Sequence, residues 1–126
     1  MPQTNALISI VDDDPSISRM LRRVLISAGY DVDSFCSAEE LLHSGRAEDC
    51  ACLILDMNLP GIGGPELQRR LQDSGKEIPI IFISADADET AQQTVMDAGA
   101  AAFFSKPFPI EALLAAIRSV VCFSLA

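Results

Sequence analysis

Five apolar stretches alternate with five helical patterns along the chain, and this alternation constrains the fold more than any other feature. The third stretch, Cys52–Asp56, is an unbroken apolar run that ends in a carboxylate shortly before Pro60 and Gly61. Such a run is typical of a strand that is buried on both faces, as in the centre of a parallel sheet. Because parallel strands are joined by right-handed helical crossovers, the alternation predicts an α/β fold with helices on both faces of the sheet.

Turn and cap residues indicate where the elements begin and end. Pro15 suits the first position of a helix with Asp14 as its N-cap, and Ser37 with Glu40 forms a capping box. The predicted strands are residues 6–11, 30–35, 52–56, 78–84 and 101–105. The predicted helices are residues 15–28, residues 38–45, a helix that Pro65 opens, residues 89–98 and residues 110–123.

Composition narrows the class of protein. A chain of 126 residues with 49% hydrophobic residues is long enough for one domain with a proper core, so we expect a single domain over residues 1–126. The net charge of -9 argues against direct binding to nucleic acid or to an anionic membrane, because both would repel it. The first residues do not resemble a signal peptide and no apolar run could cross a bilayer, so we expect a cytoplasmic protein.

The four cysteines do not indicate a disulfide framework or a zinc site. A chain of this size with this much apolar material does not need disulfides, and the cysteine pair Cys50 and Cys52 has no second pair to complete a tetrahedral metal site. We expect the cysteines to be small buried hydrophobic residues. They are Cys36, Cys50, Cys52 and Cys122.

Polar side chains stand where successive predicted strands end. The first strand is followed by Asp12 and Asp13, the third ends at Asp56, the fourth ends at Ser84, and the fifth is followed by Lys106. These residues should share one edge of the sheet, where ligands bind in open α/β folds. Crowded carboxylates repel one another unless a cation is bound, and oxygen ligands favour Mg²⁺. A carboxylate nucleophile with Mg²⁺, an ammonium and a hydroxyl is what phosphoryl transfer to an aspartate requires.

These motifs, in this order, resemble the receiver domain of two-component response regulators. The resemblance covers nearly the whole chain. It is carried by residues 11–15 (VDDDP), 55–61 (LDMNLPG), 83–85 (ISA) and 103–108 (FFSKPF). Within the family, residues 64–71 (GPELQRRL) and 106–108 (KPF) look most like the nitrogen-fixation regulator type, which precedes a helix-turn-helix DNA-binding output domain.

The resemblance implies a fold, a function and partners. The fold would be a flavodoxin-like, doubly wound sheet of five parallel strands in the order 2-1-3-4-5 with five helices. The function would be that of a phosphorylation-dependent switch in a phosphorelay, regulatory rather than enzymatic. Asp56 would accept a phosphoryl group from the phosphohistidine of a histidine kinase or a histidine phosphotransfer protein. The surface of the fourth helix, fifth strand and fifth helix would then control an output.

The resemblance also assigns the Mg²⁺ ligands. The side chains of Asp13 and Asp56 and the carbonyl of Asn58 would hold Mg²⁺, with Asp12 binding directly or through water. Lys106 would pair with the phosphoryl oxygens.

Two further features follow from the same resemblance. The peptide bond between Lys106 and Pro107 is a candidate for the cis isomer. Ser84 and Phe103 would form the switch pair, in which the hydroxyl moves to the phosphoryl group and the ring rotates into the space left behind.

Two rival interpretations stay open. Asp12 and Asp14, with Ser16, fit the start of a haloacid dehalogenase-type phosphatase, although the chain after Lys106 offers only Glu111 for a later acidic metal motif. The second rival is an interaction module that keeps the receiver fold but signals without phosphate.

The pattern of the last helix predicts a surface that another protein segment covers. Its apolar stripe should cover the sheet, and the opposite face should expose small residues that a second copy or an output domain covers. We therefore expect either a phosphorylation-dependent homodimer or a further domain. The predicted stripe is Ile110, Leu113, Leu114, Ile117, Val120 and Val121, and the predicted exposed face is Ala112, Ala115, Ala116, Ser119 and Phe123.

Overall fold

A computed structural model describes residues 5–86 and 88–125, without the side chains of residues 48 and 122–125. The five strands, numbered along the chain, form one parallel sheet in the order 2-1-3-4-5, which confirms the predicted fold. The strands are β1 (Leu7–Val11), β2 (Asp31–Phe35), β3 (Cys52–Asp56), β4 (Ile80–Ser84) and β5 (Ala102–Ser105). The helices are α1 (Pro15–Ser27), α2 (Ala38–Ser44), α3 (Gly64–Asp73), α4 (Glu89–Asp97) and α5 (Ile110–Leu125), with a 3-10 turn at Ala47–Asp49.

The predicted element boundaries hold to within one or two residues. The largest differences are two residues, because β4 begins at Ile80 instead of residue 78 and α5 ends at Leu125 instead of residue 123. Pro79 has no N–H to donate to a neighbouring strand, although its carbonyl accepts from the backbone N of Leu53 at 2.9 Å. The predicted N-caps Asp14 and Ser37 are both confirmed, because each side chain accepts a hydrogen bond from the first turn of its helix.

The core lies on both faces of the sheet because successive strand residues point to opposite sides. On one face, Leu53 and Leu55 of β3 pack with residues of α2, α3 and α4. On the other face, Cys52 and Ile54 pack with residues of α1 and α5. The two layers leave β3 buried along its whole length, as its unbroken apolar run predicts.

Helix α5 differs from the prediction on its outer face. Leu113, Ile117 and Val121 are buried against the sheet as expected. Ala116, however, is half-buried and packs against the same cluster, so its assignment to an exposed face was wrong. The buried stripe is wider than predicted because an alanine beside it is small enough to lie against the core. The predicted contribution of Phe123 falls outside the described side chains.

Of the three cysteines whose side chains the structure describes, two are buried as predicted and one is not. Cys50 and Cys52 are buried, and burial raises the pKa of the Cys52 thiol to about 12. Cys36 is exposed, so the expectation of burial was wrong there. It lies in the turn before α2, where its backbone N donates to Glu40 Oε1 at 3.1 Å. The side chain of Cys122 lies outside the described residues.

A bilayer-spanning helix is not found among residues 5–86 and 88–125, since none there is both long and apolar enough.

Candidate functional site

The carboxyl ends of four neighbouring strands bring the predicted site residues to one edge of the sheet. Asp12 follows β1, Asp56 is the last residue of β3, Ser84 is the last residue of β4, and Lys106 follows β5. These strands are adjacent in the order β1-β3-β4-β5, so their ends lie side by side. The topology therefore assembles residues that are far apart in the sequence.

Three carboxylates form a group at this edge. Asp12, Asp13 and Asp56 each contribute an oxygen, and these oxygens lie within 4.8 Å of one another. Asp12 and Asp56 are buried, with 1% and 5% of their surfaces exposed, whereas Asp13 is exposed. Backbone N–H groups fix the two buried side chains, because Asp14 N donates to Asp12 Oδ1 at 2.8 Å and Asn58 N donates to Asp56 Oδ1 at 3.1 Å.

Lys106 brings a positive charge to the carboxylates. Its Nζ lies 3.1 Å from Asp12 Oδ2 and 3.8 Å from Asp56 Oδ2. The backbone N of Lys106 donates to the carbonyl of Ser84 at 2.7 Å, which ties it to the end of β4. The peptide bond between Lys106 and Pro107 is cis, as predicted.

Burial raises the pKa of the Asp56 carboxyl above its ordinary value, and the charges of Asp12 and Asp13 raise it further. The hydrogen bond from the backbone of Asn58 and the ammonium of Lys106 lower the pKa of Asp56 without cancelling the effect of burial. One lysine thus compensates only part of the negative charge at the edge.

Ser84 is held by the loop that follows β4. Its hydroxyl donates to the carbonyl of Asp86 at 2.9 Å and accepts from the backbone N of Asp86 at 3.1 Å. The side-chain amide of Asn58 donates to the same hydroxyl at 3.3 Å and lies 3.4 Å from Asp86 Oδ2. Sequence reasoning assigned no role to the Asn58 side chain or to Asp86 at this site.

Phe103 lies on β5 beside the end of β4. In the strand register Phe103 pairs with Phe82 and Ser105 pairs with Ser84. Because alternate strand residues share a face, Phe103 and Ser84 are diagonal neighbours on the same face of the sheet. Phe103 is half-buried and packs against the core cluster beneath α2, α3 and α4.

Gly64 is a third residue whose role at this site sequence reasoning missed. A Cβ at this position would lie 2.7 Å from the carbonyl oxygen of Asp56, 3.0 Å from Met57 Cα and 3.1 Å from the ring of Phe82. Only glycine therefore allows the start of α3 to pack against the backbone that carries Asp56. A glycine directly before Pro65, at the start of a helix, is the sequence signal that could have pointed to it.

The donor set of the carboxylate group fits Mg²⁺. All of its donors are carboxylate oxygens, which are the hard ligands that Mg²⁺ prefers. A divalent cation would also relieve the repulsion that raises the pKa of Asp56.

Residues 8–118 match the family model of the response regulator receiver domain. Among curated proteins, response regulator protein TodT of Pseudomonas putida is 40% identical over 121 residues, which cover 96% of this chain and 53% of TodT. The chain spans about half the length of the curated relatives it matches.

Solved structures of response regulators also resemble this chain in sequence and fold. A structure of response regulator StyR is 40% identical with a TM-score of 0.87 and covers 95% of this chain, which spans 61% of that structure. The crystal structure of FixJ-N is 31% identical with a TM-score of 0.83, and the match covers 94% of this chain and 95% of FixJ-N. The chain therefore belongs to the response regulator receiver domain family of two-component signalling.

Proposed function

We propose that the chain is a phosphorylation-dependent switch in which Asp56 accepts a phosphoryl group from the phosphohistidine of a histidine kinase or a histidine phosphotransfer protein. One observation carries this proposal. Three carboxylates converge within 4.8 Å and the ammonium of Lys106 lies 3.1 and 3.8 Å from two of them. A purely structural role does not explain why two buried carboxylates, a third exposed carboxylate and one lysine converge at one edge of the sheet.

The proposed transfer needs a nucleophile that is already oriented. The hydrogen bond from Asn58 N to Asp56 Oδ1 fixes the carboxylate plane, and a carboxylate oxygen of Asp56 attacks phosphorus. The new P–O bond forms as the P–N bond to the donor imidazole breaks, and the electron pair of that bond returns to the imidazole nitrogen. Lys106 would pair with the phosphoryl oxygens as the anionic phosphoryl group moves from the imidazole to Asp56.

The carboxylates of Asp12, Asp13 and Asp56 and the carbonyl of Asn58 would hold Mg²⁺ in this proposal. When bound, Mg²⁺ supplies positive charge that allows an anionic phosphoryl group to approach carboxylates. Asp12 has a second task, because it also positions the Lys106 ammonium at 3.1 Å.

Phosphorylation would shift a two-state equilibrium of the whole domain. The Ser84 hydroxyl would turn to the phosphoryl group and the Phe103 ring would move with it, which changes the surface of α4, β5 and α5. The role is regulatory rather than that of an enzyme. From the resemblance to the nitrogen-fixation regulator type, we propose that residues 1–126 are one receiver domain that controls a DNA-binding output domain. A homodimer formed on phosphorylation stays a prediction.

Intact-mass measurement after incubation with acetyl phosphate and Mg²⁺ tests the proposal. The wild type should gain the mass of one phosphoryl group and Asp56→Asn should gain none, because an amide cannot attack phosphorus. Asp14→Asn is the matched control. Its side chain caps α1 by accepting from Ser16 N at 2.9 Å, and asparagine caps equally well.

Three other outcomes would contradict the proposal, and two of them would indicate one of the rival functions. Labelling of Asp56→Asn at the wild-type level would contradict the assignment of Asp56. Release of phosphate without a stable mass gain, abolished by Asp14→Asn, would indicate the phosphatase that uses Asp12 and Asp14. If the protein shows neither labelling nor turnover of phosphate, the result would indicate an interaction module that signals without phosphate.

A further inference from the structure

The hydroxyl of Ser84 has no hydrogen-bonding capacity to spare. A hydroxyl has one proton and two lone pairs. The proton goes to the carbonyl of Asp86, and the oxygen accepts from Asp86 N and from Asn58 Nδ2. Ser84 can therefore donate to a phosphoryl group only after it leaves the carbonyl of Asp86.

The side chain of Asn58 ties the same loop to the phospho-acceptor segment. Its Nδ2 lies 3.3 Å from Ser84 Oγ and 3.4 Å from Asp86 Oδ2. A carboxylate only accepts hydrogen bonds, so the amide nitrogen faces Asp86 and its two hydrogens serve the two contacts. The amide thus joins the loop after β3 to the loop after β4, across 28 residues of sequence.

We propose that Asp86 is a positioning residue that holds Asn58 and Ser84 in the arrangement of the unphosphorylated protein and so opposes phosphorylation. This inference rests on the proposed function. A phosphoryl group on Asp56 presents oxygens that compete with Asp86 for the Ser84 proton and for the Asn58 amide. The Asp86 carboxylate then loses its amide partner and lies near a second negative group, which is unfavourable.

Titration with beryllofluoride, a mimic of the phosphoryl group, in saturating Mg²⁺ tests the inference. The chain has no tryptophan, so calorimetry rather than intrinsic fluorescence follows binding. Asp86→Asn should bind beryllofluoride about three- to tenfold more tightly, because an amide oxygen accepts from Asn58 more weakly than a carboxylate does, and charged and neutral hydrogen bonds differ by about this much. Its Mg²⁺ affinity should equal that of the wild type, because Asp86 is not placed in the carboxylate group.

The matched control is Asp88→Asn. It removes the same charge from the same segment, and asparagine can keep the N-cap of α4, in which Asp88 accepts from Thr90 N and Ala91 N. It should bind beryllofluoride with wild-type affinity. An equal gain in the two variants would mean that charge alone acts, and would overturn the positioning role. Weaker Mg²⁺ binding by Asp86→Asn would also overturn it, because Asp86 would then serve the metal site.

A double-mutant cycle tests the route through Asn58. Asn58→Ala removes the amide but keeps the backbone carbonyl proposed as a Mg²⁺ ligand. In this background the gain from Asp86→Asn should disappear. Additive effects of the two changes would show that Asp86 does not act through Asn58.

A readout without beryllofluoride separates this inference from the proposed function. The side-chain amide resonance of Asn58 should shift in Asp86→Asn and stay unchanged in Asp88→Asn. An unshifted resonance overturns the contact even where the wild type binds beryllofluoride. If the wild type binds beryllofluoride and Asp86→Asn binds it equally or more weakly, only the inference is refuted. If the wild type binds no beryllofluoride, both the proposed function and the inference are refuted.

Discussion

The interior of the sheet and its carboxyl edge bury opposite kinds of groups. Strand β3 contains both regions, because residues 52–55 have 0% exposed surface and the next residue, Asp56, has 5%. Burial of apolar surface stabilises the fold by about 25 cal/mol per Å². Burial of a carboxylate destabilises it unless partners compensate.

The compensation at the edge is incomplete. Lys106 brings one ammonium to a group of three carboxylates, and the pKa of Asp56 stays raised. The interior therefore stabilises the domain, and the edge is held in place at some expense of stability. The proposed binding of a cation and a phosphoryl group at the edge would account for this difference.

The largest expected effect lies in the interior. Leu53→Ala should lower the free energy of unfolding by about 2–5 kcal/mol, because it leaves a cavity between β3 and the helices above it. Urea denaturation followed by circular dichroism measures the change. Ile26→Ala is the control, since Ile26 on α1 is 51% exposed and its truncation should change stability by less than about 0.5 kcal/mol. Equal losses would refute the comparison.

A smaller effect is expected at the border of the two regions. Gly64→Ala should lower the free energy of unfolding by about 1–3 kcal/mol, since its Cβ would press on the backbone of Asp56 and on the Phe82 ring. It should also slow labelling by acetyl phosphate.

Gly63→Ala provides the control for that change. The nearest atoms to a Cβ at Gly63 are 3.9 Å away, an ordinary contact, so labelling should resemble the wild type. Stability should fall less than in Gly64→Ala, because the only cost is an alanine at the N-cap of α3. A stable, normally labelled Gly64→Ala would show that α3 does not pack tightly on the acceptor segment.

The smallest expected effect has the opposite sign and lies at the edge. Because the folded pKa of Asp56 is raised, the folded state holds its proton to higher pH than the unfolded state does. The wild type should therefore lose stability as pH rises from the unfolded pKa, about 3.9, to the raised folded pKa. Without divalent cations at pH 7, Asp56→Asn should melt a few degrees higher.

Thermal melts of chelator-treated protein across pH measure this effect. Asp56→Asn should lack the part of the pH dependence that Asp56 contributes, and Mg²⁺ should raise the Tm of the wild type more than that of the variant. Asp14→Asn, a change at an exposed carboxylate, should melt like the wild type. A lower Tm for Asp56→Asn at neutral pH would show that the edge stabilises the fold.

The sequence predicts the edge well because topology alone places it. Strand ends follow from apolar runs and turn residues, and any parallel arrangement brings Asp12, Asp56, Ser84 and Lys106 to one side. No loop conformation enters that argument. The order of the strands required the family resemblance.

The contacts between loops could not be predicted in this way. The hydrogen bonds that join Asn58 to Ser84 and Asp86 link segments 26 and 28 residues apart, and they depend on the paths of two loops. The error at Ala116 has a similar cause. Helical periodicity gives the direction of a side chain, but the width of the surface that the sheet covers depends on how α5 sits on it.

The central claim is that Asp56, and no other carboxylate of the group, carries the phosphoryl group. Borohydride reduces an acyl phosphate to an alcohol, so treatment of the labelled protein should convert the phosphorylated aspartate to homoserine. Peptide mapping by tandem mass spectrometry should then find homoserine at position 56 and unchanged aspartate at positions 12 and 13. Homoserine at position 12 or 13, or a phosphoryl group on Ser84 that survives reduction, would contradict the account.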